Sequence, residues 1–220
     1  MNANSLLAEL ADEISVCPKC RLAETRTKTV PGAGTSSAQI MFVGEGPGEQ
    51  EDLSGHPFVG KSGLLLTREL EKIGISRGEV FITNIVKCRP PQNRVPLADE
   101  IAACSDWLGA QIALIEPKFI VPVGGPSLQT LVSKNLRITK ARSHVFRKDG
   151  ILFIPILHPA AALRSPDTLA LFLEDLAHLK DFLSREIRED EITEIEEERK
   201  SRVCAPSEPQ KEEGGTLSLF

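Results

Sequence analysis

Gln39–Gly44, QIMFVG, runs directly into Glu45–Asp52, EGPGEQED. The first stretch is a short apolar run ending in glycine, as a buried parallel strand does. The second combines glycines, which let backbone approach a ligand closely, with four acids. A strand that empties into such a loop predicts an α/β unit with its ligand at the strand end.

The same grammar recurs along the chain. Val80–Val86 (VFITNIV), Lys118–Val123 (KFIVPV) and Ile151–Leu157 (ILFIPIL) read as three further strands. Pro122 counts mildly against the third, because proline costs a ladder hydrogen bond. Amphipathic spacing predicts helices near the N-terminus, over Lys61–Ile73, Pro96–Ile115, about Pro126–Val132 and Pro166–Arg185. Strands alternating with helices imply an α/β fold with a parallel sheet covered on both faces. Four segments then fall at strand carboxyl ends: Gly44–Asp52, Cys88–Pro96, Gly124–Ser127 and His158–Arg164. Their convergence predicts one cleft.

Cysteine placement carries a second message. Cys17-x-x-Cys20 supplies two sulfurs from one tight loop, and Cys88 and Cys104 lie far along the chain. Such a set fits a four-thiolate zinc or a [4Fe–4S] cluster, and spacing does not choose between them. Nothing in the composition suggests secretion, so a disulfide framework is not expected. The N-terminus lacks a signal-peptide pattern, and no apolar run reaches membrane-spanning length. A cytoplasmic location is the expectation.

The chain has 220 residues, enough for one domain with a sizeable core, and a net charge of −5. That charge is not spread evenly. Residues 1–184 hold 20 basic and 20 acidic side chains, whereas 185–220 hold 6 and 11. A neutral body argues against sequence-independent coating of nucleic acid, although one basic face is compatible with it. A domain over residues 1–187 and a charged, disordered tail over 188–220 are expected. Cys204 lies in that tail, as a free thiol rather than a ligand.

GEGPGEQED at 44–52, NIVKCRPP at 84–91, HPAAALR at 158–164 and the interleaved cysteines together resemble the family 4, iron–sulfur uracil-DNA glycosylases, over about residues 10–184. The resemblance implies a three-layer α/β/α sandwich with a central four-stranded parallel sheet. It implies a structural [4Fe–4S] cluster on Cys17, Cys20, Cys88 and Cys104. The implied reaction is monofunctional: uracil is flipped from DNA and its N-glycosidic bond hydrolysed, leaving an abasic site for base-excision repair. Phe58 would stack on the base, Asn84 would read its O4 and N3–H, and His158 would donate to O2 as charge develops there.

Glu45 is the choice for handling water. Superfamily members carry Asp or Asn before the motif proline, where this chain has Gly46. Glu51 is the next acid, for the base or for pocket shape. The superfamily's thymine-excluding Tyr is replaced by Gly48, and the chain has no Tyr. Lys61 and Lys87 lie near these motifs, but the resemblance supports only a monofunctional enzyme without a Schiff base, and no histidine lies between 88 and 104 to trap the sugar. Leu163 would wedge into the base stack. Arg164, Arg89, Arg94, Gly125 and Ser127 would meet phosphates.

Thr216-Leu217-Ser218-Leu219-Phe220 resembles the bacterial sliding-clamp binding pentapeptide at four of five positions. A monomer recruited to the clamp is the expectation. The rival readings are a non-catalytic, metal-stabilised DNA-damage-binding module on the clamp and a divalent-metal hydrolase using the acidic loop.

Overall fold

A computed structural model describes residues 2–196. Seven strands form one sheet: β1 Ala33–Gly34, β2 Ile40–Gly44, β3 Phe81–Asn84, β4 Phe119–Pro122, β5 Val145–Lys148, β6 Ile151–Phe153 and β7 Ile192–Glu194. Eight helices accompany them: α1 Ala3–Ser15, α2 Glu49–Ser54, α3 Lys61–Lys72, α4 Ala98–Ile115, α5 Gly125–Leu131, α6 Ile138–Ala141, α7 Pro159–Ala162 and α8 Pro166–Ser184. The sheet order is β1-β3-β2-β4-β6-β5-β7.

The four expected strands are its centre, and β3-β2-β4-β6 are all parallel. The sheet is nevertheless larger than four strands. β1 adds antiparallel to β3, and β5 adds antiparallel to β6. Asp149 and Gly150, both at positive φ, turn the β5–β6 hairpin. Asp-Gly at such a turn is a strong hairpin signal. β5 itself, VFRK, lacks the continuous apolar run of a buried strand, because it lies near the sheet edge.

Beyond residue 187 the described chain is still ordered into elements. Regular structure continues to Glu194, where β7 pairs in parallel with β5. Arg147 holds this segment through Glu189 and Glu194, each at 2.9 Å. The clamp-like residues 216–220 and Cys204 lie outside the described residues.

Strand alternation sorts the core into two layers. Phe42 and Val121 face Leu66, Leu70, Phe172 and Leu176 of α3 and α8. Met41, Val43 and Ile120 face Leu108 and Ile115 of α4 and Leu128 of α5. This is the three-layer α/β/α sandwich. Pro122 is tolerated at the end of β4, where its carbonyl accepts the Ile156 N–H at 3.0 Å. No described helix is long and apolar enough to cross a membrane.

One buried carboxylate joins the sheet to its helical layer. Asp175 of α8 is 1% exposed. It accepts from Leu157 N at 2.8 Å and from Arg142 Nε at 2.7 Å. Asp175→Ala would orphan the Leu157 N–H and uncouple Arg142. Chemical denaturation should show a loss of about 3 kcal/mol, the scale of breaking a buried charged pair.

Candidate active site

The in-register strand ends meet at one edge of the sheet. Gly44 of β2 pairs with Asn84 of β3. Val123, just past β4, bridges to Ile156, two residues before His158. The loops leaving these ends enclose a cleft of about 420 Å³ whose walls include Glu45, Phe58, Asn84 and His158. The cleft expected from sequence is there, and it draws on three of the four segments.

Asn84 is 2% exposed, and its main-chain carbonyl accepts from Lys87 Nζ at 2.8 Å. Its side-chain amide makes no hydrogen bond to a described residue. Among the described residues no fully buried polar side-chain atom is left unpaired, so that amide opens on the cleft that Asn84 lines. A Cβ on Gly44 would fall 2.4 Å from Asn84 Oδ1 and 2.6 Å from Phe58 Cζ. Only glycine at the strand end lets the amide and the ring lie together.

His158 is the N-cap of α7, and its Nδ1 accepts from Ala160 N at 3.1 Å. An accepting nitrogen carries no proton, so this bond assigns the neutral ring's proton to Nε2. Burial lowers its pKa to about 4, and the Arg164 charge opposes protonation further. His158 is therefore a neutral Nε2–H donor at neutral pH. Its ring lies 6.1 Å from that of Phe58, tilted by 31°.

The two acids of the first loop are used differently. Glu45 is half-buried, and no described residue hydrogen-bonds or pairs with its carboxylate. Burial alone raises its pKa above the ordinary carboxylate value. Glu51 also lines the cleft, but its oxygens hold backbone: Oε1 accepts from Val59 and Gly60, each at 2.8 Å, and Oε2 from Gly48 at 3.1 Å. With three donors Glu51 is a loop brace. It ties the Gly48 turn to the segment carrying Phe58.

The basic residues separate as well. Arg164 is exposed and lines the cleft beside Leu163, which is 53% exposed rather than packed under α8. Arg94 lines it too, held in a two-pronged pair with buried Glu100 at 2.6 and 2.8 Å. Arg89 stands outside it, bonded to Asn93 Oδ1 at 2.8 Å. Ser127 is a correction: it is fully buried, so neither its N–H nor its hydroxyl, which donates to Val43 O at 2.5 Å, is at the surface where a phosphate would sit. Gly125 is half-buried and also outside the cleft lining. Their turn closes α5 against β2 instead of facing outward.

All four cysteines are free thiols that line a second, small cavity. Three N–H groups point at sulfur: Arg26 Nη1 to Cys88, Lys87 N to Cys104 and Trp107 Nε1 to Cys17, each at 3.3 Å. Burial pushes the Cys88 thiol up to about 11 and raises Cys104 as well. Among the described residues, no three His, Cys, Asp or Glu side chains are gathered closely enough for a single ion.

Sequence reasoning did not reach Lys87, Glu100 or Arg77. Lys87 is 1% exposed, with Nζ also bonded to Thr83 at 2.6 Å and Gln111 at 2.7 Å. A buried lysine whose partners lie on a strand and a distant helix leaves no local pattern.

Between pH 6.5 and about 4 the unfolded chain binds a proton at the His158 ring that the folded chain does not. Stability should fall as pH falls through that window. Nitrogen NMR should show a neutral ring protonated on Nε2 at pH 6. A ring that titrates near 6.5 in the folded protein contradicts the geometry.

The sequence model of the uracil DNA glycosylase superfamily matches residues 31–180. A type-4 uracil-DNA glycosylase of Saccharolobus solfataricus is 47% identical over 184 residues, covering 80% of this chain and 85% of that protein. One from Sulfurisphaera tokodaii is 46% identical over 184 residues, covering 80% and 84%. One from Thermotoga maritima is 43% identical over 185 residues, covering 82% and 96%. With these matches over the fold and cleft described above, the chain belongs to the type-4 branch of the uracil-DNA glycosylase superfamily.

Proposed function

We propose that this protein excises uracil from DNA by hydrolysis of the N-glycosidic bond. One observation carries the reading. Three polar groups with no hydrogen-bond partner among the described residues, the Glu45 carboxylate, the Asn84 amide and His158 Nε2–H, share a cleft with an aromatic ring. A site that spends none of these groups on itself is prepared for a polar, planar ligand. The damage-binding alternative is not favoured, because a binding module needs no unpaired acid with a raised pKa.

In this reading the flipped base stacks on Phe58, and Asn84 pairs with O4 and N3–H. As the C1′–N1 bond breaks, its electron pair passes to the uracil ring and charge collects on O2. His158 Nε2–H meets that charge, and a neutral donor does so without having to lose its own proton. Water adds its oxygen to C1′ on the opposite side, and Glu45 takes the proton released. Glu51 shapes the pocket by filling the space over Gly48, where a Cβ would lie 2.7 Å from its Oε2. Leu163 and Arg164 face the DNA.

Cys17, Cys20, Cys88 and Cys104 would hold a [4Fe–4S] cluster. The reading is supported by four sulfurs around one cavity and three N–H donors aimed at them. When bound, the cluster supplies no reaction chemistry. It ties α1 to the Cys88–Cys104 segment, whose Arg94 and Pro96 form one wall of the cleft. The protein works as a cytoplasmic monomer, and residues 216–220 recruit it to the sliding clamp.

A labelled oligonucleotide with one deoxyuridine, incubated in EDTA and then cleaved with alkali, tests the activity. Cleavage at uracil and not at thymine or cytosine is expected. His158→Ala should slow it about 100- to 1000-fold. Glu45→Gln should slow it about 100-fold or more. In the unmodified protein kcat/KM should fall with acid as Glu45 protonates, at a pH above the ordinary carboxylate range, and Glu45→Gln should lose that limb. A metal-dependent reaction would overturn the mechanism. Deleting residues 216–220 should abolish clamp binding while leaving excision from short oligonucleotides unchanged, and clamp affinity that survives the deletion rules out the tether.

A further inference from the structure

Of the two non-glycine cleft residues at positive φ, Phe58 and Asn93, Phe58 is the bulky one. It sits at φ +53° and is 6% exposed. A bulky residue in the left-handed region is strained and persists only where surrounding structure over-determines it. Three elements do so. Glu51 of α2 holds the next two N–H groups, those of Val59 and Gly60. Gly63 of α3 lies so close that a Cβ there would fall 2.1 Å from the Phe58 carbonyl carbon. The third is Arg77, in the short 3-10 turn Arg77–Glu79 before β3.

The Arg77 guanidinium reaches back across 19 residues. Nη1 donates to the Phe58 carbonyl at 3.2 Å and to Thr67 Oγ1 at 2.9 Å, and Nη2 donates to the Pro57 carbonyl. The two consecutive carbonyls of Pro57 and Phe58 thus share one rigid fork, anchored on α3 through Thr67. Among the described residues no carboxylate pairs with Arg77 within ion-pair distance. Its bonding capacity goes to the backbone of the ring's own loop. An arginine that only stabilised the surface would be expected to seek an acid.

We infer that Arg77 is a positioning residue for uracil excision, a clamp that fixes the strained Phe58 backbone so that its ring is preset to receive the flipped base. This rests on the reading that Phe58 stacks on uracil. Arg77 touches neither base nor sugar and acts through Phe58 alone. A preset platform matters because small misplacements of a positioned group cost about 100-fold in rate.

A double-mutant cycle on the full chain tests this, with Arg77→Met, Phe58→Ala and both together, assayed on single-stranded uracil oligonucleotide. Arg77→Met should lower kcat/KM about 10- to 100-fold in the parent. In the Phe58→Ala background it should change kcat/KM by less than about twofold, because there is no ring left to position. Arg77→Lys, which keeps charge and part of the fork's bonding, should fall between parent and Arg77→Met. It also serves should the methionine variant fail to fold, since its effect must likewise vanish without the ring. Equal losses in both backgrounds, or none in either, overturn the clamp while leaving the stacking reading intact. Full activity of Phe58→Ala overturns the stacking reading instead.

Discussion

Everything at the cleft depends on the parallel register of β2 with its neighbours. Gly44 opposite Asn84, and Val43 opposite Pro122, set the strands to end together. The bridge from Val123 to Ile156 carries this alignment to the segment before His158. A one-residue slip would turn each side chain to the opposite face of the sheet. It would exchange the Met41/Val43 and Phe42 layers of the core along with the site. The same hydrophobic pattern that stabilises the sandwich therefore keeps Glu45, Asn84 and His158 at one cleft.

Buried charge in this protein mostly holds loops. Glu51 spends its carboxylate on the Gly48, Val59 and Gly60 amides. Glu100, fully buried, grips Arg94 and the Leu97 N–H at the start of α4. Asp175 holds the Leu157 N–H directly before His158. Each offsets its own desolvation with several donors, as a buried carboxylate must. Glu45 stands apart because no described residue compensates its carboxylate. Bracing acids and the unpartnered one are told apart here by bonding, not by residue type or burial.

The cysteine cavity and the cleft are also mechanically joined. Lys87 bonds the Cys104 sulfur through its main-chain N–H and the Asn84 carbonyl through Nζ. One residue thus ties the cysteine cavity to the end of β3. A group bound by the four sulfurs would stiffen this connection without taking part in bond breaking.

The central fold was legible from the chain because four apolar runs ending at loop signals leave little alternative to a buried parallel sheet. Glu45 and His158 were legible for a related reason: each directly follows such a run, so strand alignment brings them together, whereas Asn84, inside the run read as Val80–Val86, came from the family resemblance. The edges were not. β5 mixes apolar with basic residues, and its Asp149-Gly150 turn carried the signal that could have found it. β7 is too acidic to read as a strand until Arg147 is brought beside Glu189 and Glu194. Glu51 and Glu45 look equivalent in GEGPGEQED, and Ser127 looks as available as any serine after a glycine turn. The chain by itself determined the sheet centre, the cleft's position and the cysteine set, all properties of local pattern. Only the tertiary structure decided which acid is free, which tautomer His158 holds and which distant arginine supports Phe58. Those follow from partners far apart in sequence, and hydrogen bonds across such distances have no local signature.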